Sequence, residues 1–258
     1  MRRYSLPLVV VASIVLAALL TWLVVSSANF GGRGPRPEAG PARSEAAVRA
    51  LPPFTRLDVS GTADVVLVQG AAESVAVAAG GRRAGQVDAQ VRNGTLYIEA
   101  VDRTRWWDRL FGGGGRPTHV VVTFRELSQI DAAGTVKLSA ASLRAPSLRV
   151  TGAGGTEIRI DDLQAGKLEL AGAGALKAEL AGSVAEQTIA ISGAGEYRGA
   201  RLASDIASVT VAGAGKVVVH ARKSLDAAIS GAGSVEYLGD PTVTEHISGI
   251  GRVRRRDA

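Results

Sequence analysis

The chain writes one short motif six times: Gly152-Ala153-Gly154, Gly172-Ala173-Gly174, Gly193-Ala194-Gly195, Gly213-Ala214-Gly215, Gly231-Ala232-Gly233 and Gly249-Ile250-Gly251. The starting positions are separated by 20, 21, 20, 18 and 18 residues, and a weaker forerunner, Ala132-Ala133-Gly134, lies 20 residues before the first. A period in this range marks a stack of units, each burying its apolar face only against its neighbours. Two residues before the motifs stand Val150, Leu170, Ile191, Val211, Ile229 and Ile247, and two residues after them stand Thr156, Leu176, Tyr197, Val217, Val235 and Val253. In parallel strands about 4.8 Å apart, positions at fixed register fall above one another, so each set predicts a mostly aliphatic ladder.

Helical repeats fit less well. The apolar alternation has period two, as in Leu176, Ala178 and Leu180. Paired glycines in every unit would also cost a helix about 1 kcal/mol each. The reading is therefore all-β, a parallel β-helix (solenoid) whose coils cover 118 to 253. The low aromatic content of 4% agrees with a regular core of Val, Ile, Leu and Ala.

Gly152, Gly154, Gly172, Gly174, Gly193, Gly195, Gly213, Gly215, Gly231 and Gly233 are read as structural glycines. They either supply backbone dihedrals closed to other residues at a corner or let strands approach closely. Strict alternation from Val150 sends Gly152 and Gly154 inward and Ala153 outward. Thr151, Ala171, Ser192, Ala212, Ser230 and Ser248 then form a stripe of small side chains, either a packing face for a partner or second subunit, or a tight corner where nothing larger fits.

Residues 54 to 117 lead into the coils. "FTRLDVSGTADVVLVQG" alternates as a strand, and Asn93-Gly94 between two alternating runs predicts a hairpin, since both residues tolerate positive φ. Together they predict an N-terminal strand and hairpin cap over an otherwise open rung. An insertion at 101 to 119 carries Trp106, Trp107, Leu110 and Phe111 at the spacing of one face of a short helix, among Arg103, Arg105 and Arg109. These aromatics are a candidate partner or membrane surface, or a cover folded over the solenoid.

Ahead of the domain, residues 1 to 28 hold an uncharged apolar run from Leu6 to Val25 behind Arg2 and Arg3. Some twenty helical residues at about 1.5 Å each span roughly 30 Å of hydrocarbon, the length of a transmembrane anchor. Ser26 and Ala28 keep a cleaved signal helix open as the other reading. Either one predicts export of the rest of the chain, as an anchored or a cleaved product. Residues 29 to 53, with five prolines, form a tether, and 254 to 258 end the chain as a basic tail. Despite the net charge of +6, no stripe of interleaved basic and aromatic residues suggests nucleic acid.

No cysteine is present, which excludes disulfides and thiolate metal sites. His119, His220 and His246 lack partners at metal-ligand spacing, and no serine sits in a nucleophile elbow. No metal, cofactor or catalytic residue is expected. Asp161, Asp162, Glu169, Glu179, Glu196 and Glu236 are outward acids, but Lys177, Arg198 and Lys216 alternate with them as on a solvated face.

The succession of "FTRLDVSGTADVVLVQG", "VRNGTLYI", "VVVTFRELSQIDAAGTVKL" and serial "SGAG" units resembles the putative auto-transporter adhesin head GIN domain family over about 54 to 240. The resemblance implies a β-helical fold, a location in a bacterial cell envelope, anchored in the inner membrane and facing the periplasm or free in the periplasm after cleavage, and adhesion or scaffolding without catalysis, with an envelope protein or glycan as partner and a homo-oligomer open. Many relatives look like lipoproteins, whereas this chain substitutes an apolar segment for their cysteine. The rival function is binding or cleavage of polysaccharide, which acids along an outer wall would carry.

Overall fold

The computed structural model describes residues 47–77, 86–101 and 118–256, and every element in them is a β-strand. The apolar segment at 1 to 28, the tether as far as residue 46, and Trp106, Trp107, Leu110 and Phe111 lie outside the described residues, while Ala47–Ala50, within the stretch expected to be tether, forms a strand of the sheet. Among the described residues no helix is long and apolar enough to cross a membrane.

Ten strands form one open sheet: β1 (Ala47–Ala50), β2 (Arg56–Gln69), β3 (Ser74–Val77), β4 (Gln86–Arg92), β5 (Thr95–Val101), β6 (Thr118–Phe124), β7 (Gln129–Ala140), β8 (Leu143–Leu238), β9 (Thr242–Gly249) and β10 (Arg252–Arg255). At about 3.3 Å per residue, the 96 residues of β8 would reach over 300 Å if straight. Instead the strand returns on itself. Its start, Arg149 to Ile160, pairs in parallel with β7, while Ser224 to Gly231 near its end pairs with β9 and Ser234 to Tyr237 with β10.

A column of glycines marks where each turn bends. Gly61, Gly134 and Gly154 share one register across β2, β7 and β8, and the close backbone approach continues through Gly174, Gly193, Gly213, Gly231 and Gly249. All eight have positive φ. At Gly193, φ is +118° and a Cβ would sit 2.7 Å from the carbonyl oxygen of Gly174, so both backbone angle and neighbouring backbone require glycine.

This column corrects the register read from the motifs. In the first two triplets the corner is the second glycine, Gly154 and Gly174; in the last four it is the first, Gly193, Gly213, Gly231 and Gly249. Ile191 therefore belongs over Gly172, and the residue continuing Val150 and Leu170 is Ile189. Gly152 is buried as alternation expects, whereas Gly154 faces solvent because the chain turns there.

The other glycine of each triplet lies inside the corner and faces a larger side chain. A Cβ on Gly172 would meet Leu176 Cδ2 at 2.6 Å, and one on Gly195 would meet Ile191 Cγ2 at 2.7 Å. The positions two before and two after the corner form pairs of one small and one larger residue: Ala132 with Val136, Gly152 with Thr156, Gly172 with Leu176, then Ile191 with Gly195, Val211 with Gly215 and Ile229 with Gly233. Two large side chains would overfill this bend, and two glycines would leave a void.

One aliphatic core runs the length of the stack, from Leu57, Val65 and Ile98 through Leu138, Ile158 and Leu180 to Val219 and Ile229. A polar plug interrupts it. The fully buried Tyr197 donates its hydroxyl to Gln187 Oε1 at 2.9 Å, Gln187 Nε2 donates to Ser204 Oγ at 2.8 Å, and Ser204 Oγ donates to the His220 carbonyl at 2.8 Å. Every member of this chain is satisfied, as burial of polar groups demands. Gly199 leaves room beside the ring, since a Cβ there would lie 2.5 Å from it.

At the N-terminal end, β4 and β5 form the expected hairpin about Asn93 and Gly94, both at positive φ. β5 runs parallel to the first half of β2, while β6 takes the second half and passes the sheet on to β3 and β1. Arg252–Arg255 is strand β10, so the first two residues of the basic tail expected from 254 onward are part of the sheet.

Candidate functional site

Alternation in the β4–β5 hairpin decides which side chains reach solvent. Ala89, Leu96, Ile98 and Ala100 turn into the core, so Asp88, Gln90 and Arg92 of β4 and Tyr97 and Glu99 of β5 face outward. Register sets Asp88 opposite Glu99 and Gln90 opposite Tyr97. With Asn93 at the turn, these residues line a concavity of about 480 Å³.

Its walls are ordered internally. Gln90 Nε2 donates to Asp88 Oδ2 at 2.8 Å, Arg92 donates to Gln90 Oε1 at 2.6 Å, and Arg56 donates to the Asn93 carbonyl at 2.9 Å. Tyr97 stands 40% exposed among them, an aromatic face ringed by groups that accept and donate hydrogen bonds. Beside Tyr97 on β2 lies Asp58, with Asp131 next on β7. Burial, and then the nearby Asp131 and Glu99 carboxylates, raise the Asp58 pKa above the usual range for aspartate. Such a site suits a neutral or weakly cationic ligand offering hydroxyl groups and an apolar face.

The same outer face continues over the later turns of the sheet with small residues: Ala153, Ala173, Ser192, Ala212 and Ser230 beside the corner are all exposed. Thr151, Ala171 and Ser248 are exposed as well. Past the corner the face becomes charged, and its acids are tied to bases on neighbouring turns or two residues away along the same strand. Glu157 lies 3.1 Å from Lys137 and 3.5 Å from Lys177, Glu179 lies 2.9 Å from Arg201, and Glu196 lies 2.8 Å from Arg198. Glu169 is paired with Arg149 and Lys167, and Asp161 with Arg159, while Asp162 accepts from Gln164.

Glu236 is buried and meets Arg254, Lys216 and Arg256. The hydrogen bond from Arg254, followed by the charge of Lys216, holds its carboxyl below the usual glutamate range. Arg254, Lys216 and Arg256 thus reach from the half-exposed surface to one buried carboxylate, and Arg255 pairs with Asp240. His119 lies 3.1 Å from Asp64, and the Nδ1 of His246 is 2.8 Å from the Glu245 carbonyl. Among the described residues no group of three or more His, Asp and Glu side chains could hold a metal.

Among the sequence-derived site residues, the ten glycines all fall at or beside the bends, and the four aromatics of the insertion are outside the described residues. The Tyr97 concavity was missed. Its signal was present: an aromatic between Leu96 and Ile98 in an alternating strand must face outward, and the Asn93-Gly94 turn fixes its neighbours on β4.

The family model described as "Putative auto-transporter adhesin, head GIN domain" matches residues 53–241. No curated protein matches the chain. Among solved structures, a putative adhesin from Bacteroides fragilis is 18% identical with a TM-score of 0.71, the match covering 81% of this chain and 95% of that one. A putative adhesin from Parabacteroides merdae is 18% identical, covering 81% and 95%, with a TM-score of 0.59. A protein of Parabacteroides distasonis described as a putative lipid binding protein is 17% identical, covering 83% and 96%, also with a TM-score of 0.59. At these identities the likeness is one of fold.

Proposed function

The chain belongs to the putative auto-transporter adhesin head GIN domain family, and from that premise we propose that it is an exported cell-envelope protein whose parallel β-helix serves as a non-catalytic adhesion or scaffold module. The glycine corners, set 18 to 20 residues apart from Gly134 to Gly249, and the single aliphatic core support the β-helix reading. The apolar segment at 6 to 25 tethers the module to the inner membrane, and Trp106 and Trp107 provide a second contact with membrane or partner.

The observation that carries the binding role is Tyr97, a large aromatic kept half-open in a polar concavity while the acids farther along the coil are bound up in ion pairs. Adhesion through this patch to an envelope glycan, without turnover, fits its chemistry best. The test is retention of the full chain on immobilised envelope polysaccharide, with Tyr97→Ala expected to lose at least about tenfold in retention at an unchanged melting temperature. Equal retention of Tyr97→Ala removes the patch from the interaction. Release of soluble sugar product by the wild type would replace adhesion with a polysaccharide-cleaving activity, and recovery of the native protein in the cytoplasmic fraction would defeat the envelope reading altogether.

A further inference from the structure

The two ends of the stack are finished differently. At the N-terminal end the first rung, β2, is covered by two separate pieces, the β4–β5 hairpin before its bend and β6 beyond it. At the C-terminal end the last rung consists of β9 and β10, bent at Gly249. Each of these pairs with β8 alone, so among the described residues the outer edge of this rung has no strand on it. Unpaired edges recruit other strands unless charge, proline or a cover blocks them.

The rung also departs from its predecessors in composition. One residue after the corner, earlier turns carry Gly155, Ala175, Ala194, Ala214 and Ala232, but the last carries Ile250, which is 90% exposed. Ile247, whose equivalents Ile191, Val211 and Ile229 are buried, is 43% exposed. Two large aliphatic side chains therefore stand beside an open row of backbone donors and acceptors.

What can occupy the edge is restricted by Gly249. Throughout the column, each glycine packs against the backbone of the one before it, and a Cβ at Gly231 would lie 2.6 Å from the carbonyl oxygen of Gly213. A chain added beyond Gly249 must therefore bring its own glycine to the bend. The split N-terminal end offers no unbroken bent rung, so head-to-tail stacking of copies does not continue the column. A second copy of the same C-terminal rung is unbroken through the bend and brings a glycine to it.

We infer that β9 and β10 form a two-fold interface between two copies of this chain, joined end to end about the Gly249 bend. A two-fold axis through the bend lays β9 of one copy antiparallel along β10 of the other, the isologous arrangement that closes as a dimer. Gly249 then faces its own counterpart. Ile247 lies over the other copy's Gly251, which repeats the large-with-small pairing of the bends, and Ile250 lies over Ser248. The arginines of β10 fall along β9, which has Glu245 and no Lys or Arg, so the two arginine-bearing strands stay apart. The inference concerns the protein's assembly and stands whether or not the Tyr97 patch binds glycan.

The absence of native cysteine allows a direct test with the full chain. Residues directly opposite in antiparallel strands have Cα atoms about 4.5–5.5 Å apart, within the span of a disulfide. An equimolar mixture of Ser248→Cys and Ile250→Cys chains, oxidised mildly, is expected to form covalent dimers at least about tenfold faster than an Ala173→Cys chain on the flat face. Sedimentation of the uncrosslinked wild type should give a dimer, and Ile250→Asp a monomer with the same melting temperature at low concentration. A wild-type monomer at tens of micromolar overturns the inference. So does a dimer that survives Ile250→Asp, or one that crosslinks fastest through Ala173→Cys, since either places the contact elsewhere.

Discussion

From Gly134 to Gly249, the first and second halves of the stack solve the same bend with opposite side chains. In the turns cornered at Gly154 and Gly174 the small residue comes before the bend and the larger one after, as Gly172 with Leu176; from Gly193 onward the larger one comes first, as Ile191 with Gly195. The backbone condition at the corner is therefore strict, whereas the volume inside it is shared by two positions, either of which can fill it. The change of pattern coincides with the buried Tyr197, Gln187 and Ser204 chain, where a phenol and an amide replace aliphatic packing.

The largest expected effect separates corner from interior, and its order inverts between the halves. Gly154→Ala should destabilise far more than Gly152→Ala, whereas Gly193→Ala should destabilise far more than Gly195→Ala. At the corners the obstacle is a neighbouring carbonyl, 2.6 Å from the added Cβ at Gly154 and 2.7 Å at Gly193, and φ is +98° and +118°. The strained backbone alone costs about 1–3 kcal/mol before the clash is relieved. At Gly152 and Gly195 the obstacles are side chains, Thr156 and Ile191, which can change rotamer. Thermal melts of the full chain should show the corner variants lowered by about 10 °C or more, using about 2–4 °C per kcal/mol for a protein of this size. An identical order in both halves would mean that the register of the last four triplets is misread.

Next in size is an exchange of patterns. Gly172→Ile overfills the bend against Leu176, and Leu176→Gly empties it; an overpacked core site typically costs about 1–3 kcal/mol and a large truncation about 2–5. Gly172→Ile combined with Leu176→Gly writes the second-half pattern into the first half. A double-mutant cycle should return a coupling of about 1–3 kcal/mol in favour of the pair. Simple additivity would show that the two positions do not share one volume.

Tyr197→Phe probes the point where the halves meet. The ring remains beside Gly199, but Gln187 Oε1 loses its donor in a buried site. Leaving that acceptor unmatched costs about 1–3 kcal/mol, and urea unfolding should report the loss in the midpoint with an unchanged slope. Burial raises the phenol's pKa, so the hydroxyl stays protonated and donating across the working pH range.

These contrasts also explain which parts of the molecule were legible in its sequence. The period near 20 and the alternation identified strands stacked in parallel, and Asn93-Gly94 located the hairpin, because each is a local consequence of backbone geometry. The register of the triplets was not legible, since Gly-Ala-Gly reads the same whether its first or second glycine takes positive φ. Only the backbone stacked against it separates Gly154 from Gly193. Tyr97 was readable in orientation, but its concavity depends on β4 and on β2 beside it. The C-terminal arginines looked like a tail because Glu236, the partner of Arg254 and Arg256, lies one turn away in space and 18 residues away in sequence from Arg254.

The smallest effects concern charge, and they too differ between the halves. Glu157 lies between Lys137 and Lys177 on an open face, with 40% of its side chain exposed, and the Lys137 hydrogen bond is the first cause of its lowered pKa. Glu236 is buried among Arg254, Lys216 and Arg256, and its pKa is lowered chiefly by the Arg254 hydrogen bond. A carboxyl whose pKa falls on folding contributes stability that is fully present above its unfolded pKa and is lost as pH drops through the folded one. For both groups the loss begins near the ordinary glutamate value of 4.5 and continues below it. Screening limits the exposed pair to below about 1 kcal/mol, so Glu157→Gln should shift the melting temperature at pH 7 by no more than about 2–4 °C. Glu236→Gln should lower it further, because it leaves arginines around a site emptied of charge, and should flatten the fall in stability below pH 4.5. Salt distinguishes them again: 0.5 M sodium chloride should erase most of the Glu157 effect and leave most of that of Glu236. Equal salt sensitivity would place Glu236 in solvent, with β10 no longer seated on the last turns of β8.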